Sequence, residues 1–184
     1  MADFRHVGDT DVHQGHVWNV VLADFEAPDG TRFRRDIVRS PGSVGVVPLV
    51  FDAEGLPSVV LVEQYRPPYE RNVIEIPAGM RDVPGEPPEQ TGRRELIEEA
   101  GLRAGEMDHL IDMLPSPGMT DSVCTIFLAT ECTPADHDRH GPEEEAMRLL
   151  HVPLDDALTM IDRGEINDAK TVVGLLATDR RLRA

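Results

Sequence analysis

Residues 77–102 combine a loop rich in proline and glycine with a short acidic helix. Pro87 and Pro88 stand where the helix would begin, because proline presets φ and the first helical residues need no N–H donor. The pattern predicts a helix over residues 90–100. Gly101 follows as the left-handed residue that commonly ends a helix. The stretch therefore predicts one helix with a defined start and end, and this helix constrains the rest of the chain.

Three glutamates of this helix share one face. Glu95 and Glu99 are four residues apart, and Glu98 lies three residues after Glu95, so their side chains are neighbours. Adjacent carboxylates repel one another, and hard divalent cations such as Mg²⁺ take oxygen ligands of this kind. Arg94 stands four residues before Glu98 and is placed to pair with it. A solvated acidic helix face is the alternative interpretation of the same spacing.

The wider pattern resembles the Nudix box, in which Gly, five residues, Glu and seven residues precede Arg-Glu-apolar-x-Glu-Glu-x-Gly-apolar. Every fixed position from Glu86 onward matches, but six residues rather than five separate Gly79 from Glu86. The extra residue lengthens the loop and leaves the helical spacing unchanged. The resemblance implies a Nudix-type α/β/α sandwich. It also implies a Mg²⁺ site, with Mn²⁺ as a substitute, whose ligands would be Glu95, Glu99, Glu98 and the Ala78 carbonyl.

The remaining pattern predicts an α+β fold with a mixed sheet flanked by helices, preceded by an N-terminal β-hairpin. We expect two parts: an N-terminal β segment over residues 1–40 that dimerises, and a hydrolase domain over residues 41–184. Strands are predicted over residues 17–23, 31–39, 43–51, 58–65, 73–76, 109–114, 123–130 and 147–152. Further helices are predicted over residues 154–163 and 169–183.

Charge and composition limit the partners. The net charge of −16 argues against a nucleic-acid surface, because phosphate backbones are bound by clustered Lys and Arg. No apolar run approaches the roughly 20 residues that span a bilayer, and the first residues lack a signal-peptide pattern. We therefore expect a cytoplasmic protein without a membrane partner. Cys124 and Cys132 are separated along a predicted strand by too great a distance for a disulfide, so we expect free thiols.

Features outside the box resemble the ADP-ribose pyrophosphatase branch of this family. A strand that ends in Gln64-Tyr65-Arg66 resembles the branch's Gln-aromatic-Arg pattern, which implies that Arg66 reaches the substrate. Pro117 lies 15 residues beyond Leu102, where a proline is associated with ADP-ribose specificity. The resemblance therefore implies a substrate-binding loop. Its residues are Ser116, Pro117, Gly118 and Met119.

In that branch the catalytic base usually lies on a late acidic loop. Here the loop contains Glu143, Glu144 and Glu145. Glu143 and Glu144 are favoured as the base by their position before the last predicted strand, and Glu145 is the third candidate. Glu98 is a further catalytic candidate within the box. The alternative for each loop glutamate is a solvated side chain without a role.

The resemblance implies Mg²⁺-dependent hydrolysis of ADP-ribose, a small nucleotide, to AMP and ribose 5-phosphate. One alternative is the same chemistry on another nucleoside diphosphate derivative, such as a nucleotide sugar or a dinucleotide. A second is a non-catalytic ligand sensor, which the retained box glutamates disfavour. Related enzymes exchange an N-terminal segment between subunits, so we also expect a homodimer whose interface partly buries residues of the hairpin. These are Val17, Trp18, Val20 and Val21.

Overall fold

The computed structural model describes residues 3–52, 54–136 and 146–184. The chain forms two compact units. One contains the described residues up to Gly42 together with Leu114–Val123, and the other contains Ser43–Met113 and the described part of Cys124–Ala184. The predicted division into a dimerising segment over residues 1–40 and a hydrolase domain over residues 41–184 remains a prediction. The predicted substrate loop belongs to the first unit.

The first unit contains a three-stranded antiparallel sheet in the order β1-β2-β3. The predicted hairpin corresponds to β2 (Asn19–Glu26) and β3 (Arg32–Arg39), which confirms an N-terminal hairpin. A preceding strand, β1 (Arg5–Gln14), pairs with β2 and was not predicted. Apart from Val7 and Val12 its side chains are polar, and almost all of its residues are exposed, so it lacks the alternation of apolar residues that indicates a strand.

The loop Leu114–Val123 is hydrogen-bonded to β3. The Val38 N–H donates to the Met119 carbonyl at 2.9 Å, and the Thr120 hydroxyl donates to the Val38 carbonyl at 2.7 Å. These two bonds fix the middle of the loop against the edge of the N-terminal sheet.

The second unit contains a seven-stranded sheet in the order β12-β5-β4-β10-β9, with β6 paired to β5 and β7 to β4. Only the β4–β10 pair is parallel, so the sheet is mixed, as predicted. Its strands are β4 (Ser43–Phe51), β5 (Pro57–Arg66), β6 (Arg71–Glu75), β7 (Ala78–Met80), β9 (Glu106–Met113), β10 (Cys124–Thr130) and β12 (Arg148–Pro153). The short strands β8 (Leu102–Arg103) and β11 (Thr133–Pro134) pair separately. The α-helices of the described residues are α1 (Pro88–Ala100), α2 (Leu154–Asp162) and α3 (Ala169–Leu182).

Strand β4 is buried on both faces and explains the layered architecture. Val44 and Val46 pack in one apolar cluster with Leu96 of α1, whereas Val47 packs in a second cluster with Leu175 of α3. Helices therefore cover both faces of the sheet, and the unit is an α/β/α sandwich. Both cysteines are free, as expected. No helix in the described ranges has the length and apolar character needed to cross a bilayer.

Candidate functional site

Helix α1 presents Glu95 and Glu99 toward strand β7. It begins with Pro88 and ends at Ala100, where Gly101 adopts a φ of 61°. Glu95 is 9% exposed and Glu99 5% exposed, while Glu98 is half-buried. Buried carboxylates of this kind need partners, because an unpaired buried charge is costly.

Arg94 is the main partner of these carboxylates. Its Nη1 donates to Glu95 Oε1 at 2.7 Å and to Glu98 Oε2 at 3.0 Å. Its Nη2 donates to Glu86 Oε2 at 3.4 Å. Burial disfavours the charged guanidinium, but the negative charges of its glutamate partners outweigh that effect and raise the pKa of Arg94. Arg94 therefore holds the predicted ligand face in a fixed arrangement.

The turn between β6 and β7 closes the other side of the ligand face. The Ala78 N–H donates to Glu99 Oε2 at 2.8 Å. Gly79 lies directly against the Glu95 carboxylate, since a Cβ atom built on this glycine would lie 2.0 Å from Glu95 Cδ. Burial raises the pKa of Glu95 to about 7 and that of Glu99 to about 8. The ionised form of both groups therefore calls for a nearby cation.

The one-residue insertion in the loop before α1 does not separate Glu86 from the helix. The loop turns at Gly85, whose φ is 80°, and the Glu86 N–H donates to the Val83 carbonyl at 3.2 Å. Glu86 Oε2 accepts a hydrogen bond from the Thr91 hydroxyl at 2.8 Å, which is the main reason why the pKa of Glu86 is lowered. The extra residue is thus accommodated in the turn.

The donor set suits a hard divalent cation. Glu95, Glu98 and Glu99 supply carboxylate oxygens and Ala78 a neighbouring carbonyl, which is the ligand chemistry of Mg²⁺. In the described ranges, no three acidic, histidine or cysteine side chains are arranged so that they could hold a metal ion by themselves. An open set fits Mg²⁺, because this ion keeps several waters and takes one or two protein carboxylates. These ligand assignments remain a prediction.

Arg66, at the end of β5, is held by a residue that the sequence analysis missed. Glu75 at the end of β6 accepts from Arg66 Nε at 2.6 Å and from Arg66 Nη2 at 2.7 Å. Lys170 donates to the same carboxylate. Two signals in the sequence pointed to this pair: an acidic residue within the apolar strand Val73-Ile74-Glu75-Ile76, and the only lysine of the chain.

The four predicted loop residues belong to the first unit, whereas the predicted metal ligands belong to the second. Pro117, Gly118 and Met119 line a cavity of about 490 Å³. The cavity is also lined by Phe25 and Phe33, whose rings stack with centroids 5.5 Å apart. Arg39 supports this loop, because it donates to Asp121 at 3.1 Å. Ser116 contributes through its carbonyl, which accepts from the Met119 N–H at 3.0 Å.

The predicted catalytic bases, Glu143 and Glu144, and the third candidate Glu145 lie outside the described residues. Their roles stay a prediction from the sequence.

Comparison with known proteins places the fold and the box in context. Residues 40–173 match the NUDIX domain. The ADP-ribose pyrophosphatase of Bacillus subtilis (strain 168) is 35% identical over 164 residues, covering 89% of this chain and 86% of the relative. The ADP-ribose pyrophosphatase of Mycobacterium tuberculosis (strain ATCC 25618 / H37Rv) is 33% identical over 175 residues, covering 95% and 83%.

A relative that is named for a different activity is nearly as similar. The GDP-mannose pyrophosphatase of Citrobacter koseri (strain ATCC BAA-895 / CDC 4225-83 / SGSC4696) is 34% identical over 160 residues, covering 79% of this chain and 81% of the relative. Among solved structures, an ADP compounds hydrolase superposes with a TM-score of 0.82 at 22% identity, covering 98% of this chain and 95% of that one, and so shares the fold. The domain match and these relatives show that the chain belongs to the Nudix family of hydrolases.

Proposed function

We propose that this chain hydrolyses the pyrophosphate bond of ADP-ribose to AMP and ribose 5-phosphate, with Mg²⁺ as its metal. The observation that carries the proposal is the buried ligand face, in which Glu95 and Glu99 lie against Gly79 and Ala78. Two relatives that are named ADP-ribose pyrophosphatases and match most of the chain support ADP-ribose as the substrate. The other pyrophosphatase relative supports the alternative of a nucleotide sugar.

The residues of the second unit suit an anionic substrate despite the charge of −16. When bound, Mg²⁺ activates water and neutralises phosphoryl oxygens. Arg66 keeps its guanidinium ordered through a two-point bond to Glu75, so it is ready to donate to phosphoryl oxygens. Arg94 has a different role: it orients Glu95 and Glu98 rather than the substrate.

Besides the substrate, water and the metal, the reaction needs only a base. A water oxygen forms a bond to one phosphorus, the bond from that phosphorus to the bridging oxygen breaks, and the water proton passes to the base. Glu143 or Glu144 takes this role in the proposal, with Glu98 as the candidate on the box helix. The loop Ser116, Pro117, Gly118 and Met119 would contact the substrate outside the pyrophosphate.

The proposal also covers the oligomeric state of the protein and its cellular compartment. The chain acts as a homodimer whose interface involves the N-terminal sheet, in which Val12 is 63% exposed, and the connection between β1 and β2, in which Trp18 is 55% exposed. Val21, by contrast, is 3% exposed within the single chain and belongs to its own core. The two free cysteines support a reducing compartment, the cytoplasm.

A steady-state comparison of ADP-ribose, GDP-mannose and a dinucleotide with Mg²⁺ tests the proposed function. We expect ADP-ribose to give the highest kcat/KM, and Glu99→Gln to abolish turnover, which assigns the activity to this chain. A higher kcat/KM for the nucleotide sugar or the dinucleotide would transfer the function to that substrate. Tight binding of ADP-ribose without turnover of any compound would favour the ligand sensor.

A further inference from the structure

The chain's only lysine, Lys170, lies beside the arginine that is proposed to bind the substrate. Glu75 is almost completely buried, with a side chain 3% exposed. Its Oε1 accepts from Arg66 Nε, while its Oε2 accepts from both Arg66 Nη2 and Lys170. One buried carboxylate therefore serves two cations. Burial opposes its ionisation, but Arg66 and Lys170 outweigh burial and lower the pKa of Glu75.

Lys170 is itself held in a defined position. It is the second residue of α3 and its side chain is 14% exposed. Its ammonium also donates to Asp168 Oδ2 at 3.0 Å. Asp168 caps α3 by accepting from the Thr171 N–H at 3.0 Å, an arrangement that fixes the first turn of a helix.

A second bond ties the start of α3 to the turn beside the ligand face. The Ile76 N–H donates to the Thr171 hydroxyl at 2.8 Å, and Thr171 is fully buried. Two residues later, the Ala78 N–H donates to Glu99. The first turn of α3 is thus joined both to the Arg66–Glu75 pair and to the segment that carries Ala78.

The charges explain why a second cation matters here. Arg66 and Lys170 carry two positive charges, and Glu75 and Asp168 carry two negative charges. With Lys170 and Asp168 included, the four side chains sum to zero, whereas loss of Lys170 would leave a net charge of −1 beside Arg66. An ammonium is a compact charge, unlike the planar guanidinium, and it fits beside a carboxylate that is already bound at two points.

We infer that Lys170 is a positioning residue for substrate binding: by sharing the Glu75 carboxylate, it orients Arg66 and keeps that site receptive to a phosphoryl group. The inference rests on the proposed function in one respect, namely that Arg66 meets the substrate. The competing explanation is a structural one, in which Lys170 only fastens α3 to the sheet.

The test is Lys170→Met in the full-length protein, with KM, kcat, the melting temperature and the affinity for AMP measured by calorimetry. The Kd for AMP and the KM should each rise about tenfold, the size expected for losing one charge-assisted interaction, while kcat changes much less. Lys170→Arg, which keeps the charge, should give values closer to wild type. If Lys170→Met folds poorly, Lys170→Gln removes the charge and retains hydrogen-bond donors for the same measurements.

Two matched controls separate positioning from attachment. Arg181→Met removes one positive charge from the same helix at a surface pair with Asp108. Asn167→Ala removes a 3.1 Å bond to Arg71 that joins the start of α3 to β6 without contacting Glu75. Both controls should leave the KM and the AMP affinity unchanged.

A double-mutant cycle decides between the two explanations. Once Arg66 is replaced by alanine, Lys170→Met should have little further effect on the AMP affinity, because interacting residues are not additive. A lowered melting temperature with unchanged KM and AMP affinity would overturn the inference. A wild-type protein that does not hydrolyse ADP-ribose would instead overturn the proposed substrate. The same double-mutant cycle would then be measured with the preferred pyrophosphate substrate and its nucleotide product.

Discussion

Gly79 and Glu95 are in such close contact that no side chain fits between them. A Cβ atom on Gly79 would lie 2.0 Å from Glu95 Cδ and 2.1 Å from Glu95 Oε1. Strand β7 cannot easily move away, because Gly79 is paired with Val44, a fully buried residue near the start of β4. The glycine of the box therefore has a geometric role here: it leaves room for the carboxylate of a predicted metal ligand.

Gly79→Ala should consequently displace the Glu95 carboxylate. We expect a large loss of Mg²⁺-dependent turnover, a higher Mg²⁺ concentration for half-maximal rate, and a stability cost of about 1–3 kcal/mol from overpacking. Mg²⁺ titrations of initial rate, with urea unfolding alongside, check these effects.

Gly174→Ala is a suitable control for this substitution. Its Cβ would lie 2.9 Å from Val47 Cγ2, in the core and remote in sequence from the box. It should reduce stability, but the folded protein should need the same Mg²⁺ concentration for its half-maximal rate as the wild type. Equal Mg²⁺ requirements for both alanine variants would contradict the role given to Gly79.

The second prediction concerns the ligands themselves. Glu95→Gln and Glu99→Gln preserve shape and remove a charge, so turnover should fall by orders of magnitude. Mg²⁺ raises the melting temperature of a protein that binds it only when folded, and this rise should vanish in both variants. Glu89→Gln is the control, because Glu89 lies on the same helix, is exposed and pairs with Arg93 at 3.0 Å. Normal turnover of Glu99→Gln at saturating Mg²⁺ would refute the assignment.

The third prediction is that the metal-free protein loses stability as the pH rises. Burial raises the pKa of Glu95 to about 7 and that of Glu99 to about 8, from an ordinary value of 4.5. Between these limits the folded state binds more protons than the unfolded state, so its stability falls with increasing pH. The contribution is fully present below pH 4.5 and is lost as the pH passes through about 7 to 8.

Melting temperatures measured from pH 5 to pH 9 in a chelator check this linkage. Glu99→Gln should flatten the pH dependence, because a glutamine does not titrate, and it should be more stable than wild type at pH 9. Saturating Mg²⁺ should reduce the slope in the wild-type protein. A chelated wild-type protein that becomes more stable toward pH 9 would show that the sign is wrong.

The sequence predicted those elements that are determined by residues close together in the chain. Helix α1 ends at Ala100 as predicted because Gly101 adopts the left-handed conformation, and the i,i+4 spacing of Arg94 and Glu98 predicted their ion pair. Strand β4 has the predicted bounds, since a run of apolar residues buried on both faces is an unambiguous signal.

Features that depend on distant pairing were not predictable in the same way. Strand β7 has three residues and exists because it pairs with β4. Lys170 and Glu75 are 95 residues apart, and only the fold brings them together. Strand β1 is mostly polar, and its partner strand β2 determines its position. The sequence therefore identified the box and Arg66 but not the side chains that hold Arg66 in place.

The fourth prediction concerns the base on the acidic loop. Alanine at Glu143 or Glu144 should lower kcat by roughly 10²–10⁴-fold, the range for a positioned general base. The affinity for AMP and the Mg²⁺ requirement should change much less. Glu145→Ala is the comparison within the same loop. Small and equal effects at all three positions would indicate that none of them accepts the proton.

The last prediction concerns the homodimer. In the first unit, Phe4 is 68% exposed, Val12 63% and Trp18 55%. Aromatic residues are enriched at interfaces, and a small isolated sheet gains stability by packing against another surface. Trp18→Glu should therefore shift the full-length protein from dimer to monomer in light scattering at micromolar concentration and raise the KM for ADP-ribose. Leu56→Glu, which places a charge at a residue 62% exposed in the second unit, should remain dimeric and fully active. A wild-type chain that is monomeric and active at that concentration would exclude the dimer as the working unit.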